Sequence, residues 1–319
     1  MEGAERELFE RSVRHATETH TADSLDAALA ELGWPDALEM HREAAVSTLF
    51  SLQGEANATS SAIELVLGNA LGLGGPADLG LLLPPLGRVS PPGTGAGPRV
   101  AVLGLGTFGL GSAKRVRLVS SGDDGWRVVA VDADQLTLRT VRGVDPVLGL
   151  VEASGEAEVE EPTPIPGDRW DEAVAVGQLA LAHELLGASR RMLSLAREHA
   201  LERIQFGRPI GTFQAVRHRL AETLIAIEGA DAAVSACWDP CTPRTSAIAK
   251  ALAGRAALGA ARHCQQVLAG IGFTAEHPFH RYVRRVLVLD QLLGSSRSLT
   301  RGYGAELLAT RRLPDLLPL

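Results

Sequence analysis

The chain has 319 residues, 45% of them apolar and 22% charged, and a formal charge of −7. That length leaves room for two or three domains around a sizeable core, and the acidic balance excludes a basic field able to collect phosphate backbones, so no nucleic-acid partner is expected. No apolar run reaches the roughly 18 residues a membrane span requires, the three cysteines form no paired framework, and no leader-like segment opens the sequence, so a cytoplasmic protein with no membrane association is expected.

Residues 1–95 read as a helical domain. Apolar positions recur at helical spacing in LFERSVRHATETH (8–20), SLDAALAELGW (24–34, with Ser24 as N-cap), ALEMHREAAVSTLFSL (37–52) and SAIELVLGNALG (61–72). The breaker cluster PPLGRVSPPGTGAGP (84–98) ends this character. Residues 96–165 read as a short antiparallel β domain: RVAVLGL, KRVRLVSS, GWRVVAVDAD and LTLRTVRG alternate or run continuously apolar, with the turn SSGDDG (120–125) between two of them. The acidic, proline-rich GEAEVEEPTPIPGDRW (155–170) leads into residues 166–319, where long helical patterns joined by short loops predict antiparallel neighbours in a helical bundle, the four-helix bundle that the family resemblance described below implies. The fold class is therefore α+β, mainly α.

Gly104, Gly106 and Gly109 in VAVLGLGTFGLG (100–111) have the GxGxxG spacing of a dinucleotide fold, with Asp132 further on. Such glycines must open a helix whose N-terminus receives the pyrophosphate. Only SAKR separates them from the next strand pattern, so a turn in the β domain is the better reading and an NAD-binding oxidoreductase remains a secondary alternative. Cys237 and Cys241 lie one helical turn apart without a second pair at zinc spacing, and no metal site is expected.

The segment LERIQFGRPIGTFQAV (201–216) places Arg203, Phe206, Gly207, Gly211 and Gln214 in one interhelical loop. A guanidinium fork, glycines that let backbone come close and a glutamine at a helix start suit an anionic ligand. The alternative is a plain connection in which Arg203 pairs with a carboxylate and Phe206 is core.

The stretch ALERIQFGRPIGTFQAVRHRLAE (200–222) resembles a motif of the acyl-CoA dehydrogenase family, a loop that grips the FAD of a neighbouring subunit. The resemblance implies that Arg203 binds the pyrophosphate and that Phe206 and Gln214 lie along the adenosine portion. QQVLAGIGFTAEHPFHRYVRR (265–285) is similar to a second family segment, which implies that Gln266 and Gly270 lie against the adenine half, with Ala269 standing where a glycine is usual. Glu276, within that match, is assigned to structure, and His277 beside it is the one histidine singled out for testing.

The family reaction removes an α-proton from an acyl-CoA with a glutamate while hydride passes to the flavin. The two positions at which the family places that base fall on Leu293, before Gly294 and Ser295, and on Gly177, 26 positions before Arg203. Neither can take a proton, and the nearby Glu172 and Glu184 are read as surface carboxylates. The family's flavin-cradling sequences are absent between residues 99 and 160. These departures imply a non-catalytic, half-site subunit, inactive alone, in an α2β2 acyl-CoA dehydrogenase with one FAD per heterodimer. A full-length partner would supply the base and most acyl contacts, for a substrate such as a steroid-type CoA thioester. A flavin-free scaffold protein derived from the same family is the other alternative.

Overall fold

A computed structural model describes residues 3–73, 79–122 and 125–312. Five helices come first: α1 (Gly3–Thr19), α2 (Asp23–Glu31), α3 (Trp34–Met40), α4 (Arg42–Ala56) and α5 (Ala62–Ala70). Leu25, Leu29, Trp34, Val46, Leu49 and Leu67 supply their buried faces. Ser24 does not cap α2 as expected. The helix starts two residues earlier, behind Ala22, and the Ser24 hydroxyl donates to Thr21 O at 2.8 Å.

Among the described residues eight strands form one sheet: β1 (Leu79–Leu81), β2 (Gly93–Thr94), β3 (Arg99–Gly106), β4 (Arg115–Gly122), β5 (Gly125–Asp132), β6 (Thr137–Thr140), β7 (Val151–Glu158) and β8 (Glu160–Ile165). The order is β6-β7-β3-β2-β4-β5-β8, antiparallel except where β1 and β2 run parallel to β4. The β4–β5 hairpin forms as the sequence predicts, although Asp123 and Asp124 of its turn lie outside the described residues. No dinucleotide helix follows β3. A five-residue 3-10 turn, Phe108–Ser112, takes its place. Gly104 is required because a Cβ there would lie 2.8 Å from Pro92 Cβ and 2.9 Å from Leu83 O. Gly104 and Gly106 therefore serve close packing and Gly109 lies in the turn, so the NAD-binding alternative loses its structural basis.

The bundle follows: α6 (Gly167–Glu202), α7 (Gln214–Ser235), α8 (Pro243–Leu268), α9 (Phe279–Leu289) and α10 (Ser296–Thr310), with a small hairpin of β9 (Ile204–Gln205) and β10 (Arg208–Pro209) between α6 and α7. Arg190 pairs with Asp231 at 2.9 Å and Thr223 with His263 at 3.0 Å, so α6, α7 and α8 alternate in direction. Among the described residues no helix is long and apolar enough to cross a membrane.

Two features join the layers. Helices α4 and α6 cross so closely that a Cβ on Gly54 would strike Glu184 O, and one on Gly187 would strike Ser51 O. At that crossing Arg285 of α9 is completely buried. Its Nε donates to Asp145 Oδ2 at 2.7 Å, Nη1 to Ala58 O at 2.5 Å, and Nη2 to Thr59 Oγ1 at 2.9 Å, with Glu184 Oε1 3.5 Å from Nη1. One guanidinium thus ties the N-terminal helices, the β region and the bundle. Glu184 is not the surface carboxylate the sequence reading assigned. It is buried, and desolvation raises its pKa against the pull of Arg285. Glu172 is exposed. A second staple is Glu64 of α5, whose carboxylate accepts from Thr107 N at 2.7 Å and Leu81 N at 3.2 Å.

Replacing Arg285 with Ala leaves two buried carboxylates without their counter-charge and is expected to cost about 3–5 kcal/mol in chemical denaturation. Adding Glu184→Gln should recover part of that loss, because a neutral amide needs no cation. Equal stability of the single and double variants would contradict the coupling.

Candidate functional site

The two positions at which a base was sought are neighbours in space. Gly177 lies in the buried middle of α6, and a Cβ placed there would be 2.6 Å from Leu293 Cδ1 and 2.7 Å from Leu67 Cδ1. Leu293 is 1% exposed. Its side chain and that of Leu67 fill the space a side chain at 177 would need, so the junction is hydrocarbon throughout and holds no group able to accept a proton.

The turn that carries Leu293 is rigidly held. Leu293 has φ 52 and Gly294 φ 92, a left-handed pair that costs the leucine strain. Gln178 Nε2 donates to Leu293 O at 2.9 Å, and Lys250 Nζ donates to Asp290 O at 3.1 Å and Gly294 O at 3.2 Å. Asp290 Oδ1 accepts from Ser296 N at 3.0 Å. Burial lowers the Lys250 pKa to about 8 against the opposing pull of Asp290. From outside, Gly87 N donates to Gln291 O at 2.8 Å, and Trp170 Nε1 donates to Val89 O at 2.9 Å. The sequence reading missed Gln178, Lys250 and Asp290. A lysine in the alanine-rich centre of a helix was the available signal.

The loop residues singled out for a ligand stand at the end of the bundle where α6 stops and α7 starts. Arg203 caps α6, is exposed, and forms no salt bridge among the described residues. Phe206 and Gly207 make the tip of the β9–β10 hairpin at φ 53 and φ 78, and Phe206 is 91% exposed. The plain-connection alternative, with a paired arginine and a core phenylalanine, does not match this arrangement. Phe206 meets Phe213 edge-on with ring centroids 6.1 Å apart, and the Arg208 guanidinium sits 4.5 Å above the Phe213 ring. Gln214 is the first residue of α7 and exposed. Gly211 serves its own chain rather than a ligand: a Cβ there would lie 3.0 Å from Ala200 O.

The second segment reaches the same end. Gln266 is exposed in the last turn of α8, and Gly270 follows in the 3-10 turn Ala269–Phe273, where an added Cβ would meet nothing within 4 Å. Ala269 has φ 51 and ψ −132, a conformation glycine adopts without cost, which gives the physical reason a glycine is usual there. Phe273 is 77% exposed. Glu276 is exposed. His277 has a structural task, its Nδ1 accepting from Phe279 N at 3.2 Å at the start of α9; burial, with His280 and Arg191 nearby, lowers its pKa. Among the described residues no three His, Cys, Asp or Glu side chains are placed to hold a metal.

A mutant cycle tests the filled junction. Leu293→Ala is expected to destabilise by about 2–5 kcal/mol through the cavity it leaves, and Gly177→Ala by about 1–3 kcal/mol through crowding. The double variant should cost less than the sum, because the new methyl occupies the vacated space. Additivity to within about 0.5 kcal/mol would show that the two positions do not share it.

Residues 169–308 match the model of the acyl-CoA dehydrogenase C-terminal domain. The chain is 38% identical over 195 residues to acyl-CoA dehydrogenase IpdE2 of Mycobacterium tuberculosis, covering 59% of each chain, so the match spans less than two thirds of that relative's length. In fold, it is similar to the Tcur3481-Tcur3483 steroid ACAD G363A variant, with TM-score 0.74, 23% identity and 96% of both chains covered. It is also similar in fold to a chain of the ChsE4-ChsE5 complex from Mycobacterium tuberculosis, with TM-score 0.76, 20% identity and 99% of both chains covered. Together with the bundle motifs at residues 203–214 and 266–278, these matches show an acyl-CoA dehydrogenase C-terminal domain over residues 169–308.

Proposed function

We propose that the chain is one subunit of a heteromeric FAD-dependent acyl-CoA dehydrogenase, acting in the cytoplasm, which completes a flavin site seated in its partner and supplies no catalytic base. The observation that carries this reading is the contact of Leu293 with bare Gly177: both base positions are present in the fold and neither bears a carboxylate. The exposed hairpin with its unpaired Arg203 supports the second half of the reading. A phenylalanine held at positive φ in solvent is strain without an internal return, and such strain persists where a partner or ligand uses it.

The residues fit the nucleotide half of a flavin dinucleotide and not its ring. Arg203 would fork onto the pyrophosphate, Phe206 and Gln214 would lie along the adenosine, and Gln266 would approach the adenine past the open space at Gly270. Bound FAD would supply the hydride acceptor for α,β-dehydrogenation of an acyl-CoA. On this chain's side β3 runs straight into a short 3-10 turn, Phe108–Ser112, whose sequence lacks the flavin-cradling motif the resemblance would place there. The base and most acyl contacts therefore belong to a full-length partner in an α2β2 assembly. The structural relative described as a steroid ACAD supports a bulky, steroid-type thioester, for which an incomplete acyl pocket on this chain would leave more room.

The test is Arg203→Ala in the co-expressed complex. Losing a charge-assisted hydrogen bond costs about 1.5–3 kcal/mol, so FAD should bind about tenfold to a hundredfold more weakly, with the melting temperature of the flavin-free complex unchanged because Arg203 is exposed and unpaired. Unaltered flavin occupancy would remove Arg203 from the site and leave the scaffold alternative standing.

A further inference from the structure

The two cysteines that stand one helical turn apart in the sequence do not lie on a helix. Helix α7 ends at Ser235 and α8 begins at Pro243, so Cys237 and Cys241 both fall in the connection between them. Both ends of that connection are fixed. Cys237 N donates to Val234 O at 3.1 Å, and Thr242 caps α8, its Oγ1 accepting from Thr245 N at 3.2 Å. The thiols converge on the first turn of α8. Cys237 Sγ donates to Thr245 O at 3.4 Å, and Cys241 Sγ lies 3.6 Å from Ser246 Oγ, on the next residue. Between the two cysteines the chain passes through Trp238 and the exposed Asp239 and Pro240. The main-chain shift that disulfide geometry asks for therefore falls on residues that face solvent, not on a helix.

The two sulfurs have different surroundings. Cys241 is half-buried, whereas Cys237 is buried. Burial, opposed by the bond to Thr245 and reinforced by charge on Cys241, raises the Cys237 pKa, so each sulfur acts on the other. Cys264, inside α8, is completely buried, and burial pushes its pKa up to about 12, which leaves it inert. An oxidant in solution thus meets Cys241 first and reaches Cys237 through it.

We infer that Cys237 and Cys241 form a reversible dithiol site, which a small-molecule disulfide such as oxidised glutathione converts to an intramolecular disulfide. The Cys241 thiolate attacks one sulfur of the oxidant, forming a mixed disulfide and releasing one glutathione thiolate. Cys237 then loses its proton to solvent and attacks the Cys241 sulfur, and the second glutathione thiolate leaves. Each released thiolate takes up one proton, so two protein thiols are oxidised and one small disulfide is reduced to two thiols. Closure within one turn outpaces attack by a further glutathione, because the second thiol is already in place. An excess of small thiol reverses the reaction, as in other transient disulfides of reducing compartments. Trp238 carries the state inward, its Nε1 donating to Nε2 of buried His183 on α6 at 3.3 Å. The connection lies at the opposite end of α7 from Gln214, so the site stands whether or not the flavin reading does.

Equilibrating the native full-length chain in glutathione buffers from fully reduced to fully oxidised, followed by acid quenching, alkylation of the unfolded chain and mass spectrometry, tests it. Both cysteines fall on the single tryptic peptide 220–244, and Cys264 falls on 263–281. Peptide 220–244 should lose the mass of two hydrogens and resist alkylation, reversibly, while Cys264 stays a thiol. Cys237→Ser should stop at one glutathione on Cys241, and Cys241→Ser should react at least about tenfold more slowly than the natural chain, because its remaining thiols are shielded. The peptide map of the unsubstituted chain gives the answer even where a variant folds poorly. A lasting glutathione adduct on Cys241 with no internal bond, a bond to Cys264 or between two chains, or a native chain that stays fully reduced would each overturn the proposal.

Discussion

Leu293 lies against the uncovered backbone of Gly177, with Leu67 closing the third side. A buried carboxylate at either position would need a counter-charge or a hydrogen-bond donor, and this junction offers only methyl groups. The turn is nevertheless built with care: Gln178, Lys250 and Asp290 fix its carbonyls and amides, and Leu293 accepts a left-handed backbone to stay in it. The turn is held by hydrogen bonds, and the junction it closes is packing alone.

The same economy governs the rest of the chain. Arg285 and the Gly54–Gly187 crossing hold three layers in one relation, so the far end of the bundle projects from a rigid support. There the backbone carries strain at Phe206 and Ala269, both at positive φ, and leaves Phe206 and Phe273 in solvent. A buried, hydrogen-bonded centre and an end that leaves two phenylalanines in solvent are what a chain would show if its work were done against another molecule.

Much of this was readable in the sequence. The helices of the bundle follow from apolar periodicity, and GxGxxG could be set aside because no helix had room to form before the next strand. The pairing of Gly177 with Leu293 was not readable, since it joins positions on different helices and becomes visible only when a missing side chain is set beside a filled space. Glu184 was misread for a related reason: its counter-charge, Arg285, lies 101 positions away, and nothing local distinguishes a carboxylate that will be buried from one that will face water. The parallel pairing of β1 and β2 with β4 escaped because strands of two or three residues carry no periodic signal. Ser24 failed as a cap because its hydroxyl serves the preceding turn instead.

The most direct measurement is the flavin stoichiometry and acyl-CoA turnover of this chain purified alone, set beside the same quantities for its co-purified complex. A colourless, inactive chain alone, and an active complex with one FAD for every two polypeptides, is the expected result. A full complement of FAD and turnover from this chain alone would contradict the account, in which neither Gly177 nor Leu293 bears a carboxylate.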